Sequence, residues 1–134
     1  MLRSLLSAFA RKGAVQSQPA GSVPSGTRVY AVGDIHGRLD LLDDLLCQME
    51  ADNASRGPAY TIVIFLGDLI DRGPDSAQVV QRLLELGAET SKVRFLLGNH
   101  EEVFLKAMAG DSGALPFLLR IGGKQTVLSY GVSV

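Results

Sequence analysis

The apolar run Tyr60–Leu66 (Tyr-Thr-Ile-Val-Ile-Phe-Leu) leads directly into Gly-Asp-Leu-Ile-Asp-Arg-Gly at 67–73. Of all features in the chain, this junction most restricts the fold. A continuous apolar run without alternation suits a strand covered on both faces, as in a parallel sheet. Asp68, Asp71 and Arg72 cannot be buried with that run at low cost, because buried charges are paired or bound to a metal. The expected structure is a charged loop at the end of a buried strand, holding a cation and an anion together.

The same junction occurs twice more. Arg28–Gly33 reads as a strand and runs into Gly-Asp-Ile-His-Gly at 33–37. Lys92–Leu97 reads as a third strand and runs into Gly-Asn-His-Glu at 98–101. Between the strands, Leu39, Leu42, Leu45, Leu46 and Met49 recur at helical spacing, which predicts a helix over 38–51 with Asp43 and Asp44 on its solvated face. Cys47, the single cysteine, falls in that leucine-rich stretch and is expected to be a buried structural thiol. Val79, Val80, Leu83, Leu84 and Leu86 predict a helix over 75–86, with Pro74 in its first turn and Gly87 ending it. A third helix over 100–109 would turn Val103, Phe104, Ala107 and Met108 inward. Strand and helix alternate three times, which predicts an α/β fold built on a parallel βαβαβα sheet. In such sheets ligands bind at the carboxyl ends of the strands. All three polar loops begin there, so they are expected to converge on one edge.

Residues 27–134 are expected to form the folded domain. Met1–Gly26 reads as a disordered or weakly helical tail, because 13–26 has the Gly, Ser, Pro, Gln and Ala content of a linker. The apolar centre of Met1–Lys12 is too short for a secretory signal, and no run approaches the ~20 residues of a membrane span. A cytoplasmic location is expected. The net charge of -1 and pI near 6.1 argue against nucleic acid and membrane surfaces as partners.

Together the loops offer Asp34, His36, Asp68, Asp71, Arg72, Asn99 and His100, which include both histidines of the chain. Oxygen and imidazole donors without thiolates suit Mn, Fe, Mg or Zn. Asp34 and His36 can aim at one cation from a short turn, Asp68 can bridge to a second, and Asn99 can offer that second cation a neutral oxygen. Two such cations clamp the attacking and leaving oxygens of a phosphoryl displacement. Arg72 can hold phosphate oxygens as a bidentate fork. His100 is the candidate to protonate the leaving oxygen, with Asp71 orienting its ring. Singly, each residue has a plainer use: Asp34 or Asp68 as a helix cap or turn residue, Asn99 as a turn former, His100 as a first-turn helix residue, and Arg72 as the partner of Asp71. The joint arrangement favours the site.

The three motifs at 33–37, 67–73 and 98–101 resemble the signature motifs of the calcineurin-like metallophosphoesterases. They are most similar to the phosphoprotein-phosphatase branch, which includes bacterial serine/threonine phosphatases and symmetrical diadenosine tetraphosphatases. Gly122-Gly123 with Thr126 and Ser129-Tyr130-Gly131 also resembles the bacterial members. The resemblance implies half of an α/β sandwich and two divalent metal ions, with Mn²⁺ the first expectation. It implies Asp34 and His36 on the first metal, Asp68 between the two and Asn99 on the second. His100 would be the general acid paired with Asp71, and Arg72 the phosphate ligand. It also implies direct attack of a metal-bound hydroxide on phosphorus, with no phospho-enzyme. The family draws further histidine ligands from a C-terminal half, and no histidine follows His100. The chain is therefore expected to be the N-terminal part of a longer phosphatase, with its second metal site incomplete. The leading expectation is a serine/threonine protein phosphatase-like hydrolase acting on a phosphorylated protein or small phosphoester. The alternatives are a symmetrical diadenosine tetraphosphate hydrolase and a non-catalytic metal-binding fragment.

Overall fold

The computed structural model describes residues 21–133. Three parallel strands, β1 (Thr27–Val32), β2 (Tyr60–Phe65) and β3 (Val93–Phe95), form one sheet in the order β1-β2-β3. The crossovers are α1 (Leu39–Ser55) and α2 (Ser76–Glu89). Three further helices follow: α3 (Asn99–Met108), α4 (Ala114–Leu118) and α5 (Lys124–Ser129). A kinked turn over Leu119–Gly123 joins α4 to α5. The fold is α/β, as the alternation of elements predicts. The tail expected over 1–26 lies outside the described residues as far as position 20.

Register explains the packing. Val32 pairs with Phe65 and Phe65 with Phe95, so these three share one face. That face meets Leu42 of α1 and Val79 and Leu83 of α2 in the buried core, which also takes in Ile35 and Val93. Phe65 is fully buried and stacks on Phe95, ring centroids 5.4 Å apart. The opposite face carries Val29, Ala31, Ile62 and Ile64. Val29 and Ala31 are exposed, and the two isoleucines are only half-buried.

Several expectations of burial are corrected. Tyr60–Leu66 is not covered on both faces, because α1 and α2 lie on one side only; Tyr60 and Leu66 are exposed. Cys47 is exposed. It follows Leu46 by about 100° of helical rotation and so falls off the inward stripe of Leu39, Leu42, Leu46 and Met49. Leu84 falls off the Val79–Leu83–Leu86 stripe for the same reason and is 63% exposed. Met108, in the last turn of α3, is 72% exposed. Pro74 precedes the helix, whose cap is Asp75. Gly87 does not end α2, which continues to Glu89. A Cβ at 87 would lie 3.0 Å from the Phe95 ring, so glycine here lets α2 approach β3.

Candidate active site

Each strand delivers one polar loop to the carboxyl edge of the sheet, and the loops lock one another. The Asp68 carbonyl accepts the amides of Ile35 and His36, both at 3.0 Å, and the Leu69 carbonyl accepts that of Gly37 at 2.8 Å. The Gly73 amide returns to the His36 carbonyl at 2.9 Å. Approach between the second and third loops is equally close. A Cβ at Gly98 would sit 2.3 Å from the Asp68 nitrogen, which no side chain permits.

Four non-glycine residues adopt left-handed backbone: His36 (φ 47°), Asp68 (φ 52°), Asp71 (φ 72°) and Arg72 (φ 67°). Such conformations cost on the order of 1 kcal/mol or more each and persist only where neighbours over-determine them. Among the described residues all four lie in these loops. Glu101 supplies much of the restraint. Its carboxylate accepts the amides of Asp68 (2.8 Å), Leu69 (2.8 Å), Ile70 (3.3 Å) and Gly98 (2.9 Å). Periodicity alone does not single Glu101 out. The one local signal is an acid three residues after the cap residue Gly98, the position from which a side chain reaches back to the helix start.

His36 and Asp68 are aimed by their partners. His36 Nδ1 lies 2.8 Å from the Ile70 carbonyl, which can only accept, so Nδ1 carries the proton and Nε2 of the neutral ring keeps its lone pair. That Nε2 is buried without a hydrogen-bond partner, 3.6 Å from Asp34 Oδ2. Asp68 Oδ1 accepts the His100 amide at 3.1 Å, at the N-terminus of α3. Ligand atoms of His36, Asp68 and His100 all lie within 4.8 Å of one another. An orphaned imidazole lone pair beside carboxylates is the donor set a divalent cation satisfies, so these residues fit a metal.

Asp71 and His100 form a buried pair, 0% and 2% exposed. His100 Nδ1 donates to Asp71 Oδ2 at 2.7 Å. Its Nε2 faces the Arg72 guanidinium, 3.3 Å from Nη2, and its ring packs edge-on against His36 at 4.7 Å. Arg72 thus reaches His100 rather than Asp71. Asp34, Arg72 and Asn99 are exposed, and Asn99 stands at the first position of α3. The structure therefore gathers His36, Asp68, Asp71, Arg72 and His100, with Asp34 against His36 and Asn99 beside His100 at the rim. His100 Nε2 can bind a cation or carry a proton to a leaving group, but not both at once.

Comparison with known proteins gives a consistent result. The family model described as calcineurin-like phosphoesterase matches residues 27–133. The chain is 42% identical over 87 residues to the symmetrical bis(5'-nucleosyl)-tetraphosphatase of Pectobacterium atrosepticum, covering 65% of this chain and 28% of that protein. The enzyme of the same name from Klebsiella pneumoniae is 39% identical over 87 residues, with the same coverage. One from an Acidovorax strain is 42% identical over 82 residues, covering 61% of this chain and 26% of that protein. The chain thus spans about 28% of the length of the curated relatives it matches. With a family match over nearly all the described residues, the chain belongs to the calcineurin-like phosphoesterase family.

Proposed function

We propose that residues 27–134 are the metal-binding part of a phosphoester hydrolase whose substrate is a dinucleoside polyphosphate of the bis(5'-nucleosyl)-tetraphosphate class. One observation carries the reading: the buried, unpartnered His36 Nε2 lies beside Asp34, Asp68 and the Asp71–His100 pair. The similarity to symmetrical bis(5'-nucleosyl)-tetraphosphatases supports the substrate class. Asp34 and His36 would hold the first cation, Asp68 would bridge, and Asn99 would serve the second; Mn²⁺ is the metal proposed. When bound, such cations supply Lewis acidity at phosphorus and lower the pKa of water towards neutrality.

The remaining chemistry belongs to the chain. Arg72 is exposed beside His100 and offers its guanidinium fork to two phosphate oxygens. His100, protonated at Nε2, donates to the departing oxygen as the P–O bond breaks. Asp71 holds Nδ1–H throughout and stabilises the imidazolium. The open edge, with Asp34, Arg72 and Asn99 all exposed, also admits a phosphorylated protein segment. That is the observation favouring the second reading, a serine/threonine phosphatase-like enzyme.

A panel of P1,P4-diadenosine tetraphosphate, a phosphoserine peptide and an aryl phosphate, each with Mn²⁺, tests both. Preferential hydrolysis of the dinucleotide supports the proposal, and preferential hydrolysis of the peptide supports the second reading. Metal binding without hydrolysis of any would sink both and leave a metal-binding fragment.

A further inference from the structure

The stretch Gly122-Gly123 through Ser129 lies far beyond Asp71 and Arg72 in sequence, 55 positions from Asp71 to Thr126, yet closes on their turn. The Thr126 hydroxyl is fully buried and donates to Asp71 Oδ1 at 2.6 Å. Its oxygen accepts the Asp71 amide at 2.8 Å and lies 3.0 Å from Ser76 Oγ. Ser76 Oγ, also fully buried, accepts the same amide at 3.1 Å. Thr126 has one proton, and it goes to the carboxylate, so Ser76 must donate to Thr126. Every polar atom of Asp71 thus has a partner: Oδ1 with Thr126, Oδ2 with His100, N with both hydroxyls, and the carbonyl with the Gly73 amide at 2.8 Å. Next to it the Gly122 carbonyl accepts the Arg72 amide at 3.0 Å. Gly122 (φ 114°) comes so close that a Cβ there would meet Arg72 Cγ at 2.8 Å and its nitrogen at 2.9 Å. Ser129 Oγ accepts the Ala77 amide at 3.0 Å and donates to the Thr126 carbonyl at 2.7 Å, which ties α5 to the start of α2.

We infer that Thr126 is a positioning residue: its hydroxyl holds the left-handed Asp71 so that Oδ2 alone faces His100 and keeps the His100 proton on Nδ1. This rests on the proposed role of the Asp71–His100 pair, and it extends the site into α5. Without the hydroxyl, Oδ1 is a buried anionic acceptor with no partner. The carboxylate then turns to share itself between neighbours, and the ring loses its single orientation.

Ring-nitrogen NMR of the metal-free chain tests this, because His36 and His100 are the only histidines and neither substrate nor metal is needed. A failed phosphoesterase reading therefore leaves the test intact. In the wild type both rings show the Nδ1–H pattern. In Thr126→Val the His100 pattern moves towards a tautomer average while His36 stays fixed, and exchange of the Asp71 amide rises by about tenfold. Thr126→Ser restores both. A general loss of packing would not single out His100 in this way. An unchanged His100 pattern and Asp71 amide in Thr126→Val overturn the inference, as does failure of serine to rescue. Should the valine variant not fold, the wild type decides. A slowly exchanging Thr126 hydroxyl proton supports the assignment, and rapid exchange of that proton overturns it.

Discussion

The two ends of the sheet carry polar networks of similar residue types under different physical conditions. At the amino end Asp52 accepts the Tyr30 hydroxyl at 2.6 Å and two Arg56 nitrogens at 2.7 and 2.8 Å. Asn53 there meets Arg28 and Thr61. These groups are exposed or half-buried, and none has left-handed backbone. At the carboxyl end Asp71 and His100 are buried, and four non-glycine residues are left-handed. An exposed ion pair gains little, because water serves its partners nearly as well. A buried and strained constellation survives only because each loop restrains the next, and strain of that kind gathers where chemistry is done.

Substitutions can break this contrast, beginning with the largest expected effect. His100→Asn should lower Mn²⁺-dependent hydrolysis by roughly 10²–10⁴-fold, the range for a lost general acid, while calorimetric Mn²⁺ affinity stays within a few-fold. A parallel collapse of metal affinity would make His100 a ligand instead. Asp68→Asn should weaken Mn²⁺ binding on the order of 100-fold or more in the same titration, because the carboxylate proposed to bridge the cations becomes an amide. Glu101→Gln replaces an anion that accepts four amides with a group that presents a donor to them. It should cost about 2 kcal/mol in chemical denaturation and speed amide exchange at 68–70.

The smallest effect belongs to the amino end. Arg56, and after it Tyr30, hydrogen-bond the Asp52 carboxylate and pull its pKa down to about 2. A carboxylate depressed in the folded state stabilises above its unfolded pKa of about 3.9, and that gain is lost as pH falls towards about 2. Asp52→Asn should therefore lower the melting temperature at pH 7 slightly, because the lost pair is solvent-exposed, and the difference from the wild type should vanish as pH falls. It should flatten the loss of stability between about pH 4 and pH 2. A large drop at neutral pH would erase the distinction between the two ends.

The sequence makes the carboxyl end legible because each loop begins where an apolar run stops, so the strand order alone brings His36, Asp68 and His100 together. It leaves hidden what depends on depth and distance. Glu101 gains its role only when the fold carries the Asp68 loop, 33 residues back, onto the start of α3. The reach of Thr126 to Asp71 spans 55 positions and no periodicity announces it. Helices α4 and α5 escape the periodic reading because they are five and six residues long. Leu84 and Cys47 look inward in a count of apolar residues and turn outward because one step along a helix is about 100°.

The most direct test is a Mn²⁺ titration of the full 134-residue chain followed by paramagnetic broadening in NMR. If the three loops form a metal centre, the His36 ring and the backbone of 67–71 broaden first, near stoichiometric metal, and Asp68→Asn abolishes the effect. Broadening that begins at the exposed acids Asp40, Asp44 or Glu50, or none at millimolar Mn²⁺, would contradict a metal centre at the carboxyl edge.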